Sequence, residues 1–157
     1  MRPLAVALLL LGCSRPTAPA PQRHGVELSD VRLTTWRGPE LTARGTAQRA
    51  TLTAAGFAAD GVELTTASGT TVRAPRVDGE LDLSRITADR LDVETASGCV
   101  GSTQGRVVYQ GAFVTSSGPV CAQGCGFSLS GSKLTYSVLE RRAVVEGPVH
   151  TLLEARP

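Results

Sequence analysis

Apolar side chains recur at every second position along nearly the whole chain, and this period constrains the fold more than any motif. Val62 and Leu64 alternate with Glu63 and Thr65. Val77, Gly79, Leu81 and Leu83 alternate with Asp78, Glu80 and Asp82. Leu91 and Val93 oppose Arg90, Asp92 and Glu94, and the pattern continues through Val107, Tyr109, Gly111 and Phe113. Leu134, Tyr136 and Val138 repeat it, and Val145, Gly147 and Val149 end it. A period of two places alternate side chains on opposite faces of a strand, whereas a helix needs 3.6. One apolar and one polar face per segment predicts antiparallel sheets half-exposed to water. Only 4% of residues are aromatic, so Val, Leu, Ile and Ala must build the core. Pro75 and Pro148 are expected at strand edges or entrances, where no ladder donor is needed.

The chain also repeats itself. "TASG" stands at 66–69 and 95–98 and "TSSG" at 115–118, with final glycines 29 and then 20 residues apart. Repetition on this scale implies a supersecondary unit stacked on its neighbours. The expected inner residues, Ala43, Ala50, Val62, Val72, Ala74, Leu81, Leu91 and Val93, are small or medium. They leave two possibilities: a thin closed sandwich or an open apolar groove.

The N-terminus is of a different kind. Met1 and Arg2 precede an apolar run, Leu4 to Leu11, less than half the roughly 20 residues of a membrane span. It fits a secretion signal. Leu10-Leu11-Gly12-Cys13 resembles the bacterial lipobox, in which cleavage leaves an acylated cysteine at the new N-terminus. Residues 1–12 are therefore expected to be a signal peptide. Residues 13–24 would be the lipidated Cys13 and a proline-rich tether, followed by one β domain at 25–153 and a tail at 154–157. Multiple acyl chains hold a protein on a bilayer at about 0.8 kcal/mol per buried methylene. A net charge of +2 without a basic stripe argues against nucleic acid.

The segment "GVELSDVRLTTWRGPELTARGTAQRATL" (25–52) resembles the start of the LptC-type periplasmic component of lipopolysaccharide export, of the LptA/LptC (OstA-like) family. Its strand leads through Trp36 to Leu41, Ala43 and Ala47. "GSKLTYSVLERRAVVEGPV" (131–149) is similar to a rung of that family, with Leu134, Thr135, Tyr136, Val145, Gly147 and Val149 in place. The resemblance implies a folded-over antiparallel sheet of stacked rungs, a β-jellyroll or β-taco, whose inner faces shelter acyl chains and whose edge strands pair with neighbouring proteins. It favours the groove over the closed core.

Cys99, Cys121 and Cys125 remain after Cys13 is set aside. An oxidising compartment would pair two of them. "SGC" and "QGC" occupy similar repeat positions, which favours a disulfide between Cys99 and Cys125; Cys121 with Cys125 is the competitor. No metal site is expected, since His24 and His150 lie near opposite ends and no Cys-x-x-Cys occurs. No cofactor or catalytic motif is read. The carboxylates of "DGELD" (78–82) alternate with apolar residues and read as a solvated face.

The expectation is a non-enzymatic lipopolysaccharide-transport protein on the periplasmic face of a Gram-negative envelope. The family's role favours the inner membrane for its lipid anchor, while Ser14 leaves the outer membrane possible. Leu81, Leu83, Leu91, Val93, Val107, Tyr109 and Phe113 would line the groove. Edge residues Val145 and Val149 would meet other β-rung bridge proteins, and an inner-membrane ATP-driven transporter would supply the energy. The alternative is a structural or adaptor lipoprotein with a closed β core and no lipid cargo.

Overall fold

The computed structural model describes residues 25–124 and 126–153, and every element among them is a strand. Six strands are long: β1 (Val26–Arg37), β2 (Glu40–Thr53), β3 (Gly56–Thr66), β4 (Thr71–Gly79), β5 (Arg85–Glu94) and β6 (Val100–Gln110). The rest are short: β7 (Phe113–Ser116), β8 (Val120–Gln123), β9 (Phe127–Gly131), β10 (Lys133–Ser137), β11 (Arg142–Glu146) and β12 (His150–Leu153). All belong to one 12-stranded antiparallel sheet that does not close on itself. The expected all-β fold is the one the chain forms.

The sheet is a meander. β1 to β6 pair in sequence, and β6 then pairs with β7 through one half and with β8 through the other. β10 pairs with β7, and β9 with β8. β11 and β12 in turn pair with β10 and β9. Each short pair is thus one pass across the sheet, broken in the middle.

The long strands are interrupted at the same level. Asp30 in β1 and Gly61 in β3 take positive φ angles of 52° and 61°, and Gly105 in β6 takes 123°. β4 carries Pro75 opposite Gly61, where the register steps from Asp60↔Arg76 to Val62↔Ala74. Pro75 therefore sits inside a strand, not at its edge, at a point where pairing lapses and its missing N–H costs nothing. In β5 the register shifts between Ala88 and Arg90. These breaks form a crease that divides the sheet into two leaves.

Residues on either side of the crease explain why it forms. The buried apolar residues are Ala43, Ala47, Ala50, Ala59, Ala74, Ala88, Val107 and Val120. Ala47, Ala50 and Ala59 cluster with Val31 and Val62. Ala74, Ala88 and Val107 cluster with Val77, Leu91 and Val114. Along each strand the inward residues change phase at the crease, from Ala47 to Ala50, Ala59 to Val62, Ala74 to Val77 and Ala88 to Leu91. A spacing of three in place of two keeps both leaves facing inward. Small side chains there let the backbones approach closely.

Breaking a ladder frees backbone groups that must find other partners when buried. Thr103 is buried, and its Oγ1 accepts the Leu91 N–H at 3.1 Å beside the β5 bulge. Buried Ser116 donates to the Gly118 carbonyl at 3.0 Å where β7 gives way to β8. Gln104 N–H donates to the Pro119 carbonyl, and Ser117 N–H to that of Arg106, stitching the same break.

The two "TASG" stretches are the same turn. Gly69 N–H donates to the Thr66 carbonyl at 3.0 Å, and Gly98 N–H to that of Thr95 at 2.9 Å. Each threonine hydroxyl also accepts the N–H four residues on, from Thr70 and Cys99. The glycines have φ of 81° and 83°, a region costly for other residues. "TSSG" is different: Thr115 and Ser116 end β7, and Ser117 and Gly118 lie in the crease. Val138 falls in the turn after β10 and is exposed.

Thr103→Val should destabilise the fold by about 1–3 kcal/mol, because it strands a buried N–H without a partner. Thr103→Ser, which keeps the hydroxyl, should lose less. Urea denaturation of both variants measures the difference.

Candidate functional site

The candidate site is the inner face of the creased sheet, and it is built in rows. On one leaf Leu64, Val72 and Val93 stand opposite one another across β3, β4 and β5. On the other leaf the row runs Phe57, Gly79, Ile86, Tyr109, Val114 and Tyr136. A side chain at Gly79 would meet the Phe57 ring, with Cε1 at 2.6 Å, so the ring lies over that glycine. Likewise Leu64 lies over Gly45, where a Cβ would stand 2.9 Å from Leu64 Cδ1.

Burial on the inner face follows side-chain size, and Val62, Val77 and Leu91 are only half-buried even beside the crease. The alanines beside it are buried, while Leu64, Val72, Val93, Ile86, Tyr109 and Tyr136 on the same faces are only half-buried. In a closed sandwich the largest inner side chains would be the most protected. Here the buried apolar residues are alanines with Val107 and Val120, and no leucine, isoleucine or aromatic is among them, so the apolar face stays partly open.

Among the residues expected to line a groove, Leu91, Val93, Val107 and Tyr109 do share the inner face. Leu91 packs against the cluster of Ala74, Ala88 and Val107. Three others do not join them. Leu81 and Leu83 lie in the connection after β4 ends at Gly79, each 55% exposed. That connection is held by polar contacts: Ser84 N–H donates to Asp82 Oδ1 at 2.9 Å, and Ser84 Oγ to Glu80 Oε2 at 2.6 Å. The hydrogen bond from the Ser84 N–H holds the Asp82 carboxyl below the usual carboxylate range. Phe113 is 51% exposed and pairs with Gln110 across a two-residue turn, which puts it on the outer face. Gly111 and Ala112 in that turn have φ of 57° and 71°, as a type I′ hairpin requires. Tyr136 lies on the inner face as its alternation implies, while Phe57 and Ile86 belong to the inner rows and were not expected there; their signal is the pairing register, which strand periodicity alone does not supply.

Val145 is half-buried on β11 opposite Leu134, and Val149 is exposed in the link between β11 and β12. Among the described residues, β1 at one end and β11 with β12 at the other leave free edges. Cys13, His24 and Cys125 lie outside the described residues. Cys99 is disulfide-bonded. Cys121 is free and exposed, its Sγ 2.9 Å from Ser102 Oγ, which removes the pairing of Cys121 with Cys125.

The outer face carries the charge. Arg73 on β4 bridges Glu63 of β3 at 2.8 Å and Glu94 of β5 at 3.2 Å. Those hydrogen bonds, Glu63 first, raise its pKa above the ordinary arginine value. Arg76 bridges Asp78 and Asp60, and Arg90 meets Asp92. Asp78 thus lies on the solvated face, as its alternation implies. Among the described residues no group of three or more His, Cys, Asp or Glu is placed to hold a metal, and no helix is long and apolar enough to cross a membrane.

In the folded, unreduced chain, a thiol-alkylating reagent should modify Cys121 and leave Cys99 unmodified. Cys99 should react only after reduction. Peptide mass spectrometry distinguishes the two.

No protein-family model matches this chain. No curated protein matches it as a relative.

Proposed function

We propose that this protein is a non-enzymatic carrier that shelters the acyl chains of lipopolysaccharide between the two leaves of its sheet, and passes them along a periplasmic bridge by edge-strand pairing. The observation supporting this reading is the incomplete burial of the inner face, where alanines are buried but the larger Leu64, Leu91, Val93 and Ile86 are only half-buried. Each methylene moved from water into such a cleft gains about 0.8 kcal/mol, so a chain of roughly a dozen could gain up to about 10 kcal/mol if wholly sheltered. The open edges β1 and β11–β12 fit a role in a series of similar sheets, since an unpaired strand presents its N–H and C=O groups to a neighbour. Val145 and Val149 lie at the edge that would hand the lipid on. Cys13 would anchor the chain to the periplasmic face of a membrane, and a partner ATPase would drive the flow.

The adaptor reading draws on the same free edges but needs no cargo. A photoreactive residue at Val93, with a control at the outward Asp92, separates the two in cells. Light-dependent lipopolysaccharide adducts at Val93 and none at Asp92 are expected. Absence of lipid at Val93, together with protein adducts at Val145 or Val149, would put the adaptor in its place.

A further inference from the structure

The end of the sheet formed by β1 and β2 gathers four arginines without an ion pair; among the described residues Arg85, Arg106, Arg141 and Arg142 carry none either, but they are spread over the rest of the sheet. On β3 to β5, Arg73, Arg76 and Arg90 are each held by carboxylates. On β1 and β2, Arg32, Arg37, Arg44 and Arg49 are exposed and carry no ion pair among the described residues. Arg32 and Arg44 flank one shallow concavity with Leu33, and the carboxylate in it, Glu63, is already engaged by Arg73. At the far end of β1 stand Trp36, 61% exposed, and Leu33, 41% exposed. Because β1 is the edge strand, an approach along it meets the arginines, the indole and the unpaired backbone N–H groups together.

The sequence extends this polarity. Residues 13–53 hold six arginines against Glu27, Asp30 and Glu40, while residues 54–157 hold nine basic and eleven acidic side chains. Residues 13–24, with Arg15, Arg23 and no acidic residue, lead directly into β1. A proline-rich segment of this length spans roughly 35–40 Å when fully extended.

We infer that the β1–β2 end docks edge-on against the anionic headgroups of the bilayer that holds the anchor. This rests on the lipid-anchor reading of Cys13. The tether ends at this edge and is long enough to let it lie on the surface. Guanidinium groups pair bidentately with phosphates, and a tryptophan beside them suits the headgroup level. The docked end would then face the membrane, and β11 with β12 would face away, toward the next carrier.

Trp36 is the only tryptophan in the chain, so its fluorescence reports on this edge alone. The full chain, isolated from membranes, is reconstituted into vesicles of phosphatidylglycerol or of phosphatidylcholine. In phosphatidylglycerol the Trp36 emission should move to shorter wavelength and be quenched by brominated acyl chains. Added salt should reverse both effects. In phosphatidylcholine, and in the variant R32E/R37E/R44E, emission should stay at the solvent-exposed position; circular dichroism confirms that the variant is folded. Equal emission in the two vesicles, or an unchanged shift in the folded variant, overturns the docking. The intact mass reports acylation separately. An unacylated chain would sink the anchor, while the same fluorescence measured with added vesicles would still decide the docking.

Discussion

The crease is the constraint on which the molecule depends. A strand with an unbroken period of two commits its apolar residues to one face of one flat leaf. Changing phase at the same level in each pass folds the sheet over and turns both leaves inward. This requires backbone that can lapse from its ladder, supplied by Asp30, Gly61, Pro75 and Gly105. It requires small side chains where the leaves meet, supplied by Ala47, Ala50, Ala59, Ala74 and Ala88. It also requires polar side chains that satisfy what the lapse exposes, supplied by Thr103 and Ser116. Among the described residues no buried side-chain nitrogen or oxygen is left without a partner.

A core of alanines has a consequence for the rest of the inner face. Alanine contributes little apolar area, so most of the apolar side-chain area on the inner faces belongs to larger residues such as Val62, Leu64, Leu91 and Val93. Those are half-buried, and they are the ones available to a ligand. On the outer face Arg73, Arg76 and Arg90 are held by carboxylates of β3, β4 and β5, whereas among the described residues the four arginines of β1 and β2 carry no ion pair. The sheet is thus differentiated along its length as well as across its thickness.

Much of this was legible in the sequence. The alternation at Val62–Leu64 and Leu91–Val93 identifies strands and their inner faces correctly, and "TASG" marks two real turns. What failed did so where the alternation crosses a turn. Leu81 and Leu83 continue the period of Val77 and Gly79, yet Glu80, Asp82 and Ser84 tie that stretch into a polar connection. Phe113 continues the period of Val107 and Tyr109, yet a two-residue turn makes residues 110 and 113 partners on one face. Ala112 at φ 71° is not a residue that announces such a turn. The crease was visible only as a run of inward residues spaced by three, which reads as noise until the strands are aligned side by side. Of the cysteines the sequence offered for pairing, Cys99 is disulfide-bonded and Cys121 is free, while Cys125 lies outside the described residues.

The account turns on the inner face being partly open. Single cysteines placed at Val93, Leu64, Ala74 and Ala88 in a Cys121→Ser background, with Cys99 kept, test this through their alkylation rates in the folded chain. An open face predicts fast reaction at Leu64 and Val93 and strong protection at Ala74 and Ala88. Equal protection at all four positions would mean that the leaves close on each other, and the carrier reading would lose its physical basis.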